Sequence, residues 1–338
     1  MPDWLIILLL FVFGPVPIAA SAIFAFYLYY RYKFGSTIVR IFEEKPLFII
    51  PRGTPIDGAE CVDIPTEKGL HIRGTYIRHY NEEIERKGVI LFGLEFGCDR
   101  WASHTYCEEL LKAGYDVFTY EPRNQGESQK DASYEPLQWV TDRDFTDMRA
   151  ALTYLHARPD RDPYGIGLFG ISKGGSLALL AAAEDRNVRC VATDGAFATY
   201  TTMVPYMRRW VHIYIKFTRD RSWVPDWFYG LIGLTAIRDV EKKRNVRFES
   251  VERAVRKMRQ PWLMIHGEGD TYIKPEMAKD LYKQATKCKT KEEWIVAKAK
   301  HNQAIVLAGD VYHAKVVEFF DEHLGGNASP VKVPVRVS

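Results

Sequence analysis

The chain has 338 residues, with 46 Lys and Arg against 43 Asp and Glu, a formal net charge of +3 and 47% apolar residues. That length and apolar share support a sizeable core. The two signs of charge are interspersed with no basic stripe, which argues against a nucleic-acid partner. No internal repeat or low-complexity segment points to an array or a fibrous protein.

In chain order, the first signal is a stretch without a charged residue from Trp4 to Tyr30. It exceeds the ~20 apolar residues that span a bilayer. Trp4 stands at one end and Tyr27, Tyr29 and Tyr30 at the other, as interfacial residues do. Gly14, Pro15 and Pro17 predict a kink near its middle. Asp3 precedes the stretch, and Arg31, Lys33 and Arg40 follow it. This asymmetry predicts a single-pass transmembrane helix within residues 1–34, with the lipid bilayer as partner and the following domain on the cytoplasmic side. A cleaved signal peptide, processed near Ala20-Ser21-Ala22, is the competing reading. The missing basic start and the long apolar run weigh against it. Residues 35–60 read as a linker.

Cys61-Val62-Asp63-Ile64 and Leu70 to Ile77 flank Thr66-Glu67-Lys68-Gly69 and predict an antiparallel hairpin. Strand and helix patterns then alternate from Gly88 to Phe320. That alternation predicts an α/β domain over 61–326, a mostly parallel sheet with helices on both faces. Within it, Tyr164 to Phe169 is a short apolar strand. Gly170-Ile171-Ser172-Lys173-Gly174 follows, and Ser176 to Ala183 reads as a helix. Ala196 to about Lys257 is longer than a strand–helix–strand link requires. It interleaves Tyr200, Tyr206, Trp210, Trp223 and Trp227 with Arg208, Arg209 and Arg221. Such residues suit an acyl pocket or a membrane interface, and equally the packing of amphipathic helices. Val240 to Arg244 reads as solvated. Gln260 to Gly267 is a strand that ends at Glu268-Gly269-Asp270. Glu293 to Ala297 is another, followed by Lys300-His301-Asn302 and a helix from Gln303 to Phe320. Residues 327–338 read as a flexible tail, whose Asn327-Ala328-Ser329 is discounted as a glycosylation acceptor because Pro330 follows.

The G-x-S-x-G turn carries the chemistry. A serine between strand and helix exposes its hydroxyl at the sheet edge and sets its backbone at a helix start. Neutral serine is a poor nucleophile. A histidine must take its proton, and a carboxylate must orient the imidazole. Ser172, Asp270 and His301 supply these groups in that order. Glu268 is the alternative acid, and Asp270 is also placed to cap a helix before Lys274-Pro275. His266 reads as structural. The five cysteines are odd in number and carry no C-x-x-C, so reduced thiols are the default. Cys98 and Cys107 read as helix-packing residues. Gly165-x-Gly167-x-x-Gly170 lies along a strand rather than after one, so it predicts no dinucleotide site. The nine histidines show no zinc spacing, and no cofactor is called for. Arg123, Asp144 and Asp147 read as supports of a loop and helix.

These ordered motifs resemble the α/β-hydrolase superfamily, from about Cys61 to Gly326. Lys87 to Gly93 resembles its third strand, Leu94-Glu95-Phe96-Gly97 its oxyanion loop and Tyr115 to Tyr120 its fourth strand. Glu121 to Ser128 resembles its D-x-R-G-x-G-x-S loop, with Glu121, Asn124 and Gln125 as departures. The chain is similar to the serine-aminopeptidase-like branch, including single-pass membrane-anchored members. Its Gly170-Ile171-Ser172-Lys173-Gly174-Gly175 also looks like the elbow of acyl-CoA thioesterases and bile-acid acyltransferases. The resemblance implies a cap insertion near 196–257. It further implies an oxyanion hole from the N–H groups of Lys173 and Leu94, with Glu95 or Phe96 as alternatives to Leu94. Phe92-Gly93 stands where many relatives have His-Gly, which a hole built from backbone N–H groups tolerates. The implied function is a membrane-anchored serine hydrolase that cleaves an ester or thioester, lipid-like acyl groups being favoured by location. An aminopeptidase or thioesterase of the same fold is the alternative. A catalytically silent, tethered binding module is the alternative from another class.

Overall fold

The strands are short, apolar at the centre of the one sheet they form and more polar at its two edges. The computed structural model describes residues 2–4, 11, 13–44, 51–81, 83–163, 165–202, 205, 208 and 225–325. Strands β1 (Glu60–Pro65) and β2 (His71–Ile77) form the expected hairpin, with Ile64 opposite Ile72. The turn between them uses left-handed Lys68 and Gly69. Then come β3 (Gly88–Gly93), β4 (Tyr115–Tyr120), β5 (Ile166–Ile171), β6 (Val188–Asp194), β7 (Trp262–Gly267) and β8 (Lys291–Val296). The sheet order is β1-β2-β4-β3-β5-β6-β7-β8. β2 pairs antiparallel with β1 and β4, and all other pairs are parallel.

Every residue of β3, β4, β5 and β7 is buried. Continuous burial is what a parallel sheet covered on both faces imposes, and it explains strands without polar alternation. One face is covered by α3 (Asp142–Ala157), α4 (Lys173–Glu184), α6 (Val251–Val255) and α7 (Pro275–Gln284), through Phe145, Leu177, Val251 and Leu281. The other is covered by α2 (Ser103–Lys112), α8 (Ala304–Ala308) and α9 (Asp310–His323), through Leu110, Ile305 and Phe320. The expected single helix from Gln303 is two, because Gly309 adopts φ 51° between α8 and α9. Cys107 packs from α2 as expected. Cys98 is buried in the loop after β3, not in a helix. After β3 the chain adds β4 on one side and later β5 on the other. The strand direction of growth therefore reverses at the β3/β5 boundary, where open α/β sheets hold their ligands beyond the strand ends.

Residues 1–44 and 203–243 form a second compact unit. It contains α1 (Pro15–Glu43) and nearly all of α5 (Asp226–Arg244). Pro15 occupies the first turn of α1 after Gly14, where proline is favoured. The helix also runs past Tyr30 and past residue 34 to Glu43. It packs on α5 through Phe26 against Phe228, with ring centroids 5.3 Å apart. Tyr27 Oη lies 2.9 Å from Thr235 Oγ1, and Lys243 donates to Glu43 at 2.7 Å. Among the described residues no helix is long and apolar enough to cross a membrane. The expected span falls partly on residues 5–10 and 12, outside the described ones. Much of the aromatic insertion, including Tyr206, Trp210 and Trp223, also lies outside them.

Candidate active site

The G-x-S-x-G turn joins β5 to α4 at the switch point. Ser172 holds φ 53° and ψ −117°, a conformation that L-residues rarely adopt. Such strain is worth about 1–3 kcal/mol and persists only where the surroundings impose it. Here they do. Ser172 N–H donates to the Asp194 carbonyl at 2.7 Å, tying the turn to the end of β6. Glycine at 174 lets α4 approach β3 so closely that an added Cβ would sit 2.1 Å from the Gly93 oxygen.

The remaining groups converge on the serine. Ser172 Oγ lies 2.9 Å from His301 Nε2. His301 Nδ1 lies 2.6 Å from Asp270 Oδ2. Asp270 follows β7 and His301 follows β8, so both arrive at the same sheet edge as the serine. Asp270 does not cap α7, which begins at Pro275. Its Oδ1 instead accepts the N–H groups of Tyr272 at 2.7 Å and Ile273 at 2.9 Å. That turn leaves Oδ2 facing the imidazole. Glu268 is exposed and accepts from Lys298 N–H at 3.0 Å, away from His301. His266 is buried, donates from Nε2 to the Ile273 carbonyl at 2.8 Å, and has its pKa lowered by burial. It supports the Asp270 turn.

Lys173 presents its N–H at the start of α4, among the donors that a helix leaves without internal partners. Its side chain is buried. Nζ donates to the Leu137 carbonyl at 2.7 Å and to Asp144 Oδ1 at 2.8 Å. Asp144 also closes the N-terminal capping box of α3 with Thr141. Arg123 clamps the loop after β4 to the same helix, with 2.6 Å from Nη2 to Asp147 Oδ1. Leu94 and Glu95 follow β3, facing the elbow. Glu95 does point aside: its carboxylate accepts from the Asn302 amide. Burial pushes its pKa up.

Sequence reading missed two groups beside the triad. Asp194, at the end of β6, is fully buried and accepts from Tyr312 Oη at 3.0 Å. Burial pushes its carboxyl up to about 7. Its position at a parallel strand's carboxyl end was the one available signal. Gln138 was the other. It lines a pocket on Ser172, with Phe96, Trp139, Phe197, Tyr272 and Ile273.

The pattern of the Alpha/beta hydrolase family matches residues 96–314, well over half of the chain. The chain belongs to that family. The hydrolase is 37% identical over 92 residues to thiohydrolase aneE of Aspergillus aculeatus, covering 27% of this chain and 26% of that one. The match thus spans about a quarter of that relative. With the uncharacterized protein YfhR of Escherichia coli O157:H7 it shares 23% identity over 265 residues, covering 77% and 80% of the two chains. The esterase Pf2001 of Pyrococcus furiosus has the same fold as the hydrolase. The TM-score is 0.60 at 20% identity, over 83% of this chain and 100% of that one.

Proposed function

We propose that this hydrolase is a serine enzyme that works through an acyl-enzyme. The hydrogen-bonded chain from Ser172 through His301 to Asp270 carries the reading, because it joins a nucleophile, a base and an orienting carboxylate at one pocket. Ser172 Oγ attacks the acyl carbonyl as His301 Nε2 takes its proton. Asp270 holds the imidazole in the tautomer that leaves Nε2 free to accept, and stabilises the cation that forms. The N–H groups of Lys173 and Leu94 receive the developing oxyanion. His301 returns the proton to the leaving group. A water, deprotonated by the same histidine, then releases the acid and restores Ser172.

Esters and thioesters are the proposed substrates. The names of the thiohydrolase and esterase relatives support that class. Fluorophosphonate labelling tests the nucleophile: wild type labels and Ser172→Ala does not. Labelling that persists in Ser172→Ala assigns another nucleophile. Folded wild type that neither labels nor turns over ester, thioester or peptide substrates supports the silent binding module.

The membrane tether and cytoplasmic orientation are part of the proposal, as is kinship with the membrane-anchored branch. Ile18, Phe24, Ile23 and Leu28 of α1 expose their apolar side chains, with Trp227, Leu231 and Leu234 of α5 in the same unit. Lipid satisfies such surface where water does not. The full chain is expected to resist carbonate extraction, and release into the supernatant would count against the tether.

A further inference from the structure

The pocket on Ser172 is mostly aromatic. Phe96, Trp139, Phe197 and Tyr272 supply the walls, and Ile273 closes one side.

One lining group is not apolar. Gln138 is 7% exposed, and its Oε1 accepts from Tyr272 Oη. Its amide nitrogen Nε2 is buried with no hydrogen-bond partner among the described residues. Buried amide donors are almost always satisfied, so an orphan in a substrate pocket marks a place for a ligand atom. Tyr272 Oη takes the oxygen end of the amide. With Oε1 taken, the NH2 is left to donate. The Tyr272 ring also lies 5.5 Å from the His301 ring, so the Gln138–Tyr272 pair stands beside the reacting centre.

We infer that Gln138 is a specificity-determining residue that donates its amide N–H to an oxygen on the acyl group, a few atoms from the scissile carbonyl. This rests on the serine-hydrolase reading. The substrate class is then a hydroxyacyl or oxoacyl ester or thioester. The aromatic walls take its carbon skeleton and Gln138 reads its oxygen. A substrate that lacks the oxygen leaves the donor buried and unpaired in the transition state, and sites of this kind reject such analogues strongly.

The test uses the full-length chain and two N-acetylcysteamine thioesters, butanoyl and 3-hydroxybutanoyl. Fluorophosphonate labelling is measured in parallel. Wild type is expected to favour 3-hydroxybutanoyl over butanoyl by more than about tenfold in kcat/KM. Gln138→Leu removes the donor at similar size and is expected to bring the hydroxybutanoyl-to-butanoyl ratio close to one. Gln138→Glu keeps an acceptor for Tyr272 and replaces the free donor with an oxygen. It is expected to bring the ratio to one or below, and it decides the matter if Gln138→Leu does not fold. Wild type that labels but treats the two thioesters alike overturns the inference alone. So does a ratio unchanged in a folded Gln138 variant. Wild type that neither labels nor turns over any thioester overturns the serine-hydrolase reading, and this inference with it.

Discussion

Replacing Asp270 by Asn isolates what the carboxylate does. Its Oδ1 is held by two backbone N–H groups, at 2.7 and 2.9 Å, and its Oδ2 faces His301 Nδ1 at 2.6 Å. In Asp270→Asn the side-chain oxygen must stay on the two backbone donors, because an NH2 there would meet N–H against N–H. The amide nitrogen then points at His301 Nδ1, which is forced to accept. The ring proton moves to Nε2 and faces Ser172 Oγ, so the imidazole cannot take the serine proton. The geometry is kept while the tautomer is wrong and the imidazolium loses its counter-charge. The expected fall in kcat is about 10⁴-fold, or roughly 5 kcal/mol of barrier. The assay is single-turnover cleavage of a p-nitrophenyl ester together with the rate of fluorophosphonate labelling. A thermal melt within a few degrees of wild type confirms the fold. A folded Asp270→Asn that keeps more than a hundredth of wild-type turnover would refute the assigned role.

Asp194→Asn tests the buried acid. Its carboxyl is raised from the ordinary 3.8 to about 7, so ionising it costs more in the fold than in the unfolded chain. Below about pH 4 both states keep the proton and no penalty exists. The penalty grows as pH rises to about 7 and is constant above, at most on the order of 4 kcal/mol. Asp194→Asn should therefore melt higher than wild type at pH 8, by a margin that vanishes near pH 4; a margin independent of pH would contradict this. Lys173→Met and Asp144→Leu each leave one partner of a buried ion pair, with expected losses of about 3–5 kcal/mol, and the double variant should recover part of that. Additive shifts in the urea midpoint would show the pair to be uncoupled. Gly174→Ala places a methyl 2.1 Å from the Gly93 oxygen. It should lower stability by about 3 kcal/mol or more and slow labelling at Ser172; wild-type labelling would mean the elbow is not tightly packed.

What the sequence discloses of this molecule follows from how local each feature is. The elbow is legible because strand, turn and helix sit within twenty residues around Ser172. Asp270 and His301 are legible because each directly follows an apolar strand. Asp194 and Gln138 are not, since their surroundings arise only when loops after different strands meet. The end of α1 was misplaced for another reason. Absence of charge marks where lipid is tolerated, not where a helix stops. The helix continues through Arg31, which pairs with Asp239, to Glu43. The single helix expected from Gln303 to Phe320 is divided into α8 and α9 by the positive φ of Gly309.

The proposed nucleophile Ser172 and its proposed base His301 are separated by 129 positions along the chain. During synthesis, at about 5–20 residues per second, roughly ten seconds pass between the emergence of Ser172 and that of His301. Throughout that interval the growing chain carries a serine hydroxyl with no group to deprotonate it, and it is inert toward any acyl compound nearby. Activity is switched on by completion of the fold. A ribosome that stalls between β6 and β8 would leave an inert fragment rather than an active hydrolase.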